Sequence, residues 1–320
     1  MSTVALRVPL PLLRALDDVH VAPDGPRATV GDRELEAASD DSLRHKLCAA
    51  LYDSVHAGRP ARDGHQPRTL REPDFEERLA AATPHRTTTV LGRVVSPPEG
   101  DAFVALVDGL RVRMPAEQHD APSPDGRLAL RVPALRPALS PGFFLVDGSA
   151  GGIAEGPVLR VYVHIAEPSA APDVWRAALE RLEASGLPYR AKISSSARLF
   201  PRRDALVVYL GPRAWHLADD VPAAIRGLTG VGEETSAFVH RLAPGVGLAW
   251  DPQDRRPGMG RLSFGEHRAT AVAEALLAHA RGGAEGPLEI TLAEAFTAAG
   301  IDPARPARDL VSPRLPQFDL

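Results

Sequence analysis

Only two lysines, Lys46 and Lys192, stand in a chain of 320 residues whose lysines and arginines number 37. Arginine keeps its proton at every accessible pH, whereas lysine releases its own when the surroundings favour the neutral amine. A lysine retained amid arginines is therefore a candidate base. Lys192 lies in LPYRAKISSS, residues 187–196, two positions after Arg190. A second side chain able to exchange protons near neutral pH is His164, in LRVYVHIA (159–166), where it alternates with Arg160 and Tyr162. Basic residues follow at Arg198, Arg202 and Arg203, and Arg268 falls in the first turn of a helix that begins near Gly265. Free N–H groups at a helix start beside a guanidinium suit a phosphate oxyanion.

A lysine base, a histidine acid and several arginines, with no carboxylate cluster for a metal, describe removal of a proton from carbon and departure of an anionic group. Phosphate is the natural anion. The amine would take the Cα proton of a phosphoserine or phosphothreonine, and the imidazolium would protonate the bridging oxygen as phosphate leaves. The base must then be neutral, although lysine ordinarily titrates near 10.4. At ~1.4 kcal/mol per pH unit, that demands several kcal/mol from the site. Competing readings exist. A GC-rich composition alone makes lysine scarce. Arg160, Tyr162 and Arg190 could decorate a solvated sheet face, and Arg268 could pair with a carboxylate.

The elements that must hold these residues follow from periodicity. SDDSLRHKLCAALYDSVHAGRP places Leu43, Leu47, Leu51 and Val55 at spacing four and predicts an amphipathic helix ending at Gly58. Residues 1–38 read as an irregular arm with a short helix near Leu12–Leu16, residues 59–73 as a loop, and Phe75–Ala82 as a shorter helix. Short apolar runs between Pro and Gly turns make residues 87–148 a small antiparallel sheet, and SAGGIAEG (149–156) the best linker. Beyond it, Leu159, Val161, Val163 and Ile165 alternate as a strand, and a helix covers about Asp173–Ser185. PYRAKIS and DALVVYLG are further strands. A helix near Pro222–Leu228 leads to VHRLAPGVGLAWDP, strand and turn. Ser263 with Glu266, and Thr291 with Glu294, predict capping boxes for two late helices, and a Pro-rich tail runs from Pro303. The expected class is α+β: a helical and β-rich unit over 1–150 and a catalytic unit over 151–320.

Composition narrows the partners. A net charge of -4 disfavours a general nucleic-acid binder, and one cysteine, Cys48, excludes an internal disulfide and a cysteine-rich zinc site. The first twenty residues are broken by Arg7, Pro9, Pro11 and Arg14, so neither a signal core nor a membrane span is expected there. The expected location is cytoplasmic.

The order of these features resembles the phosphothreonine lyase effectors of bacterial pathogens, in which histidine and lysine stand at a similar interval; here His164 and Lys192 are 28 positions apart. LPYRAKI, RRDALVVYLG, LAPGVGLAWDP and SFGEHRATAVAEAL more closely resemble a plant-pathogen effector family. Actinobacterial relatives of that family serve as the lyase partner of a separate kinase in clusters for class V lanthipeptides and thioamitide-type peptides. The similarity spans roughly residues 157–306. It implies Lys192 as general base, His164 as general acid, and Arg203, Tyr209 and Arg268 around the phosphate, with Arg202 a near substitute for Arg203. One departure is that the effectors place a lysine two residues before the catalytic histidine, where this chain has Tyr162. The resemblance implies no cofactor or metal. It implies a precursor peptide as substrate, dehydroalanine or dehydrobutyrine as product, and a kinase and a cyclase as partners. Two alternatives are a non-catalytic scaffold that binds phosphopeptide or leader, and an effector-type lyase acting on a phosphoprotein.

Overall fold

The computed structural model describes residues 7–59, 70–99, 101–107, 109–115, 127–153, 155–282, 286–318 and 320. Most of the loop expected at 59–73 lies outside them. The chain opens with helix α1 (Leu10–Arg14) and a three-stranded antiparallel sheet, β1 (Val19–Val21), β2 (Arg27–Val30) and β3 (Arg33–Glu36). That sheet replaces the irregular arm expected there. Its strands are only three or four residues long, too short to show alternation.

Helix α2 (Asp40–Leu51) is capped by Ser39, which accepts from the Ser42 N–H. It continues as a π-helical turn over Tyr52–Ala57, ending at Gly58 with φ 65°. Helix α3 (Pro73–Ala82) follows. Strands β4 (Thr87–Glu99), β5 (Ala102–Val107), β6 (Leu110–Pro115) and β7 (Leu128–Pro133) make a four-stranded antiparallel sheet with its own small core around Phe103, Met114 and Leu130.

The main sheet takes in β8 (Leu135–Ser140), β9 (Phe143–Asp147), β10 (Leu159–Ile165), β11 (Tyr189–Ser194), β12 (Arg202–Leu210), β13 (His240–Ala243) and β14 (Val246–Trp250). Its order is β13-β14-β10-β12-β11-β9-β8, with antiparallel pairs throughout. One expectation changes here: the run 87–148 is not one small sheet, because β8 and β9 cross into the main one. Within that sheet β12 runs between β10 and β11.

Helices cover both faces of the main sheet. On one face Phe144, Ile193, Leu206 and Val163 form a register row, and Phe144 meets Trp175 of α4 (Ala171–Glu183) edge-on at 6.3 Å. On the other lie the π-turn and α6 (Phe264–Ala280). A short helix α5 (Asp220–Ala224) packs beside α4, and α7 (Leu288–Ala298) beside α6. The box at Ser263 and Glu266 forms as expected. The one at Thr291 does not, because α7 starts three residues earlier behind Pro287. Apart from the small core of the four-stranded sheet, one buried core runs from Val8 to Leu320. Among the described residues no helix is long and apolar enough to cross a membrane.

Candidate active site

Two register rows lay out the polar face of the sheet. One reads Leu145, Lys192, Val207, Tyr162, Gly247; the next reads Asp147, Arg190, Tyr209, Arg160, Ala249. Residues paired across antiparallel strands point to the same side, so Lys192, Tyr162, Arg190, Tyr209 and Arg160 share one face. Two ladder spacings, about 10 Å, separate the Lys192 and Tyr162 backbones.

Lys192 is half-buried, with its Nζ 4.0 Å from the Phe143 ring centroid and 5.9 Å from that of Tyr209. Among the described residues it has neither a hydrogen bond nor an ion pair. Arg160 is buried. It donates through Nη1 to the Tyr162 hydroxyl at 3.4 Å and through Nη2 to Asp251, and it lies 5.0 Å over the Tyr209 ring. Its Nε is buried without a partner among the described residues. Arg190 is held by Asp147 through two bonds, at 2.6 and 3.1 Å, and Asp147 also accepts from Arg136.

Behind Tyr162 lies a buried network that the N-terminal half contributes. The π-turn sets the His56 ring edge-on against Tyr162 at 5.4 Å and stacks it on Phe238 at 6.3 Å. His56 Nδ1 is 2.9 Å from the Ser236 hydroxyl. The Tyr52 hydroxyl donates to Asp204 at 2.9 Å, and Asp204 takes two bonds of 2.7 Å from Arg202. Burial pulls Asp204 upward, but Arg202 outweighs it and keeps the carboxylate well below its ordinary range. Burial raises the Tyr52 and Tyr162 phenols far above theirs, so both stay protonated at neutral pH.

Burial likewise pushes His56 down to about 4, against the opposing pull of Asp204 and with help from Arg202, Arg160 and Lys192. A folded value below the unfolded one near 6.5 means that the unfolded chain binds more protons between them. Stability present above pH 6.5 is therefore lost as the pH falls towards 4, by about 3 kcal/mol at most for this residue. Urea melts of wild type and His56→Phe at pH 7 and pH 5 test this. The wild type should lose more stability on acidification than the variant.

Gly265 makes room for the network. A Cβ there would stand 2.2 Å from His56 Cδ2 and 2.7 Å from Tyr52 Cε2. Gly→Ala inside a helix normally stabilises by up to about 1 kcal/mol. At Gly265 the sign should reverse, to a loss of about 1–3 kcal/mol from overpacking. A higher melting temperature in Gly265→Ala would refute that placement.

The structure does not gather all the expected residues. His164 lies at a register shift in the β10–β12 pairing, between Val163 and Ile165, with its backbone N–H donating to Gly245 and its C=O accepting from Gly232. Its ring packs on Gly232, and burial, then Arg203, lower its pKa, so it is neutral at pH 7. On β10 the side chain in register with Lys192 is Tyr162, not His164. Arg268 is fully buried. Its Nε donates to the Pro306 carbonyl, Nη1 to His267 and Nη2 to Asp309. Arg202 is spent on Asp204, and Arg203 on Glu234 and the carbonyls of Ser54 and Val55. The expected phosphate ligands Arg202, Arg203 and Arg268 are thus turned inward or aside; Arg190 and Arg160 are also held by carboxylates, Asp147 and Asp251, but share the Lys192 face of the sheet with Tyr209.

His56, Tyr52, Asp204 and Phe143 escaped the sequence reading. A signal existed: Cys48, Tyr52 and His56 form a second row at spacing four beside the leucine stripe. Among the described residues no three His, Cys, Asp or Glu side chains converge as metal ligands.

The chain belongs to the HopA1 effector protein family, whose sequence model matches residues 134–308, from just before β8 to the tail after α7. Among solved structures it is similar to the effector protein from Pseudomonas syringae pv. tomato strain DC3000, at 14% identity and a TM-score of 0.48, covering 86% of this chain and 91% of that one. The effector from Pseudomonas syringae pv. syringae strain 61 is also similar, at 14% identity and 0.48, covering 84% of this chain and 92% of that one. No curated protein matches.

Proposed function

We propose that the chain is a carbon–oxygen lyase that eliminates phosphate from phosphoserine or phosphothreonine, with Lys192 as the base. The observation that carries this reading is the state of Lys192: half-buried, set over two aromatic rings, and without a carboxylate partner among the described residues. A structural lysine would normally be paired or snorkel to water.

Lys192 takes the Cα proton, and the C–H electron pair forms the Cα=Cβ bond. The Cβ–O bond breaks, and phosphate leaves with the electron pair of that bond. Arg160, Arg190 and the Tyr209 hydroxyl hold the phosphate. Tyr162, protonated by virtue of its burial and polarised by Arg160, supplies the proton to the departing oxygen in place of His164. The substrate is a ribosomally made precursor peptide phosphorylated by a separate kinase, as in lanthipeptide or thioamitide maturation, and the site of action is the cytoplasm. A second reading, favoured by the family's effector membership, gives the same chemistry a phosphoprotein substrate.

Incubation with a synthetic phosphothreonine peptide tests the reaction. Mass spectrometry should show loss of phosphoric acid and a dehydroamino acid. Binding without phosphate release would make the chain a scaffold instead.

A further inference from the structure

A cavity of about 650 Å³ lies at the β13 end of the main sheet, the opposite edge from β8. Its rim carries Arg14, Arg203, Arg241, Arg305 and His240 against one acidic side chain, Glu234, and Arg305 is tied to Asp302 at 3.3 Å. This is a concentration of positive charge on a chain of net charge -4. Arg14 and Arg241 are exposed and have no carboxylate partner among the described residues. Arg203 is tied to Glu234, but that carboxylate is 67% exposed, and a competing anion could displace it at little cost. Proline and aliphatic side chains from three distant segments, including Pro9, Val239 and Pro306, form the remaining wall.

The second observation is the strand beside it. β13, four residues long with a register shift between Arg241 and Ala243, is the end strand of the seven-stranded sheet and among the described residues pairs only with β14; His240 and Arg241 line the cavity. The outer edge of such a strand presents unpaired N–H and C=O groups, the template for adding an extended peptide.

We infer that the cavity and the β13 edge form a docking site for an extended acidic peptide segment, bound as an added strand with its carboxylates on the arginines. The inference is independent of the lyase reading, because it concerns binding at the far edge of the sheet. A segment docked there by a substrate would tether its remaining length near the Lys192 face and raise the local concentration of its phosphorylated residue.

The test uses a fluorescein-labelled peptide in which glutamate alternates with valine, measured by anisotropy on the full chain at low and moderate salt. Binding should weaken with salt. Arg14→Ala with Arg241→Ala should weaken it about tenfold, the equivalent of two lost solvent-exposed ion pairs. A version of the peptide N-methylated at alternate residues should weaken similarly, because it cannot complete the ladder. Lys192→Ala should bind as the wild type does, which separates this site from the proposed catalytic one. Unchanged affinity in the double variant, equal binding of the N-methylated peptide, or tighter binding of a single-stranded RNA of the same charge would each overturn the inference. The two arginines are exposed, so an unchanged melting temperature confirms that the variants are folded.

Discussion

Lys192→Ala is expected to reduce phosphate release from a phosphothreonine peptide by about 10²–10⁴-fold, the usual contribution of a positioned general base. Stability should hardly move. Lys192 has no ion pair among the described residues, and its contact over Phe143 is worth only about 0.5–1 kcal/mol at a partly exposed position. Affinity for the phosphopeptide should fall only a few-fold, because Arg160, Arg190 and Tyr209 remain. The pattern to look for is therefore a collapse of kcat with a small change in KM and an unshifted melt. Lys192→Arg sharpens the comparison: it keeps the charge and much of the packing but cannot act as a neutral amine. If it releases phosphate at the wild-type rate, Lys192 is not the base. Tyr162→Phe is the companion variant. It removes the hydroxyl that accepts from Arg160 and leaves the ring in place against His56 and Phe264.

How far the sequence revealed this arrangement depends on the range of the interactions involved. Helix α2 was visible because four apolar residues at spacing four require a helix, and α6 because Ser263 and Glu266 cap each other locally. Strands β10, β11 and β12 were likewise visible as alternating or apolar runs. Their order was not. Which strand lies between two others is set by connections and packing that no local period encodes. That gap matters at Lys192: with β12 between the strands, the β10 residue in its register row is Tyr162, and His164 falls at the register shift between Val163 and Ile165.

A second gap concerns ion pairs. Arginine suits phosphate and carboxylate equally, and sequence spacing cannot say which it meets. Arg202 and Asp204 are two residues apart and could have been read as a pair. Arg268 and Asp309 are 41 residues apart and could not. The contribution of the π-turn was hidden for the same reason. Tyr52 and His56 reach Asp204 and Ser236 only through tertiary packing, so a helix that reads as ordinary amphipathic packing in the sequence also forms the wall behind the candidate site.

Arg268 tests whether its guanidinium serves the fold or the phosphate. The side chain is completely buried, and its donors go to Pro306, His267 and Asp309. The chain of contacts continues outward. Arg268 donates to His267 Nδ1, so the neutral imidazole carries its hydrogen on Nε2 and donates it to Asp254, 2.9 Å away, which Arg256 also grips. Burial, then Arg268 itself, lower the His267 pKa, consistent with a neutral ring. Asp309 in turn accepts from the Gln253 N–H at 2.7 Å, tying the tail to the segment after β14. Removing one member of a buried pair strands the other, at a cost of about 3–5 kcal/mol. That is a large share of the roughly 5–15 kcal/mol by which a typical protein is stable. Arg268→Ala should therefore lower the urea midpoint sharply. Arg268→Met combined with Asp309→Leu should recover much of the loss, because both charges leave together and the volume stays filled. A phosphate ligand would behave in the opposite way. If Arg268→Ala melts like the wild type and instead raises KM for the phosphopeptide, its guanidinium reaches the substrate and the inward network is not its role.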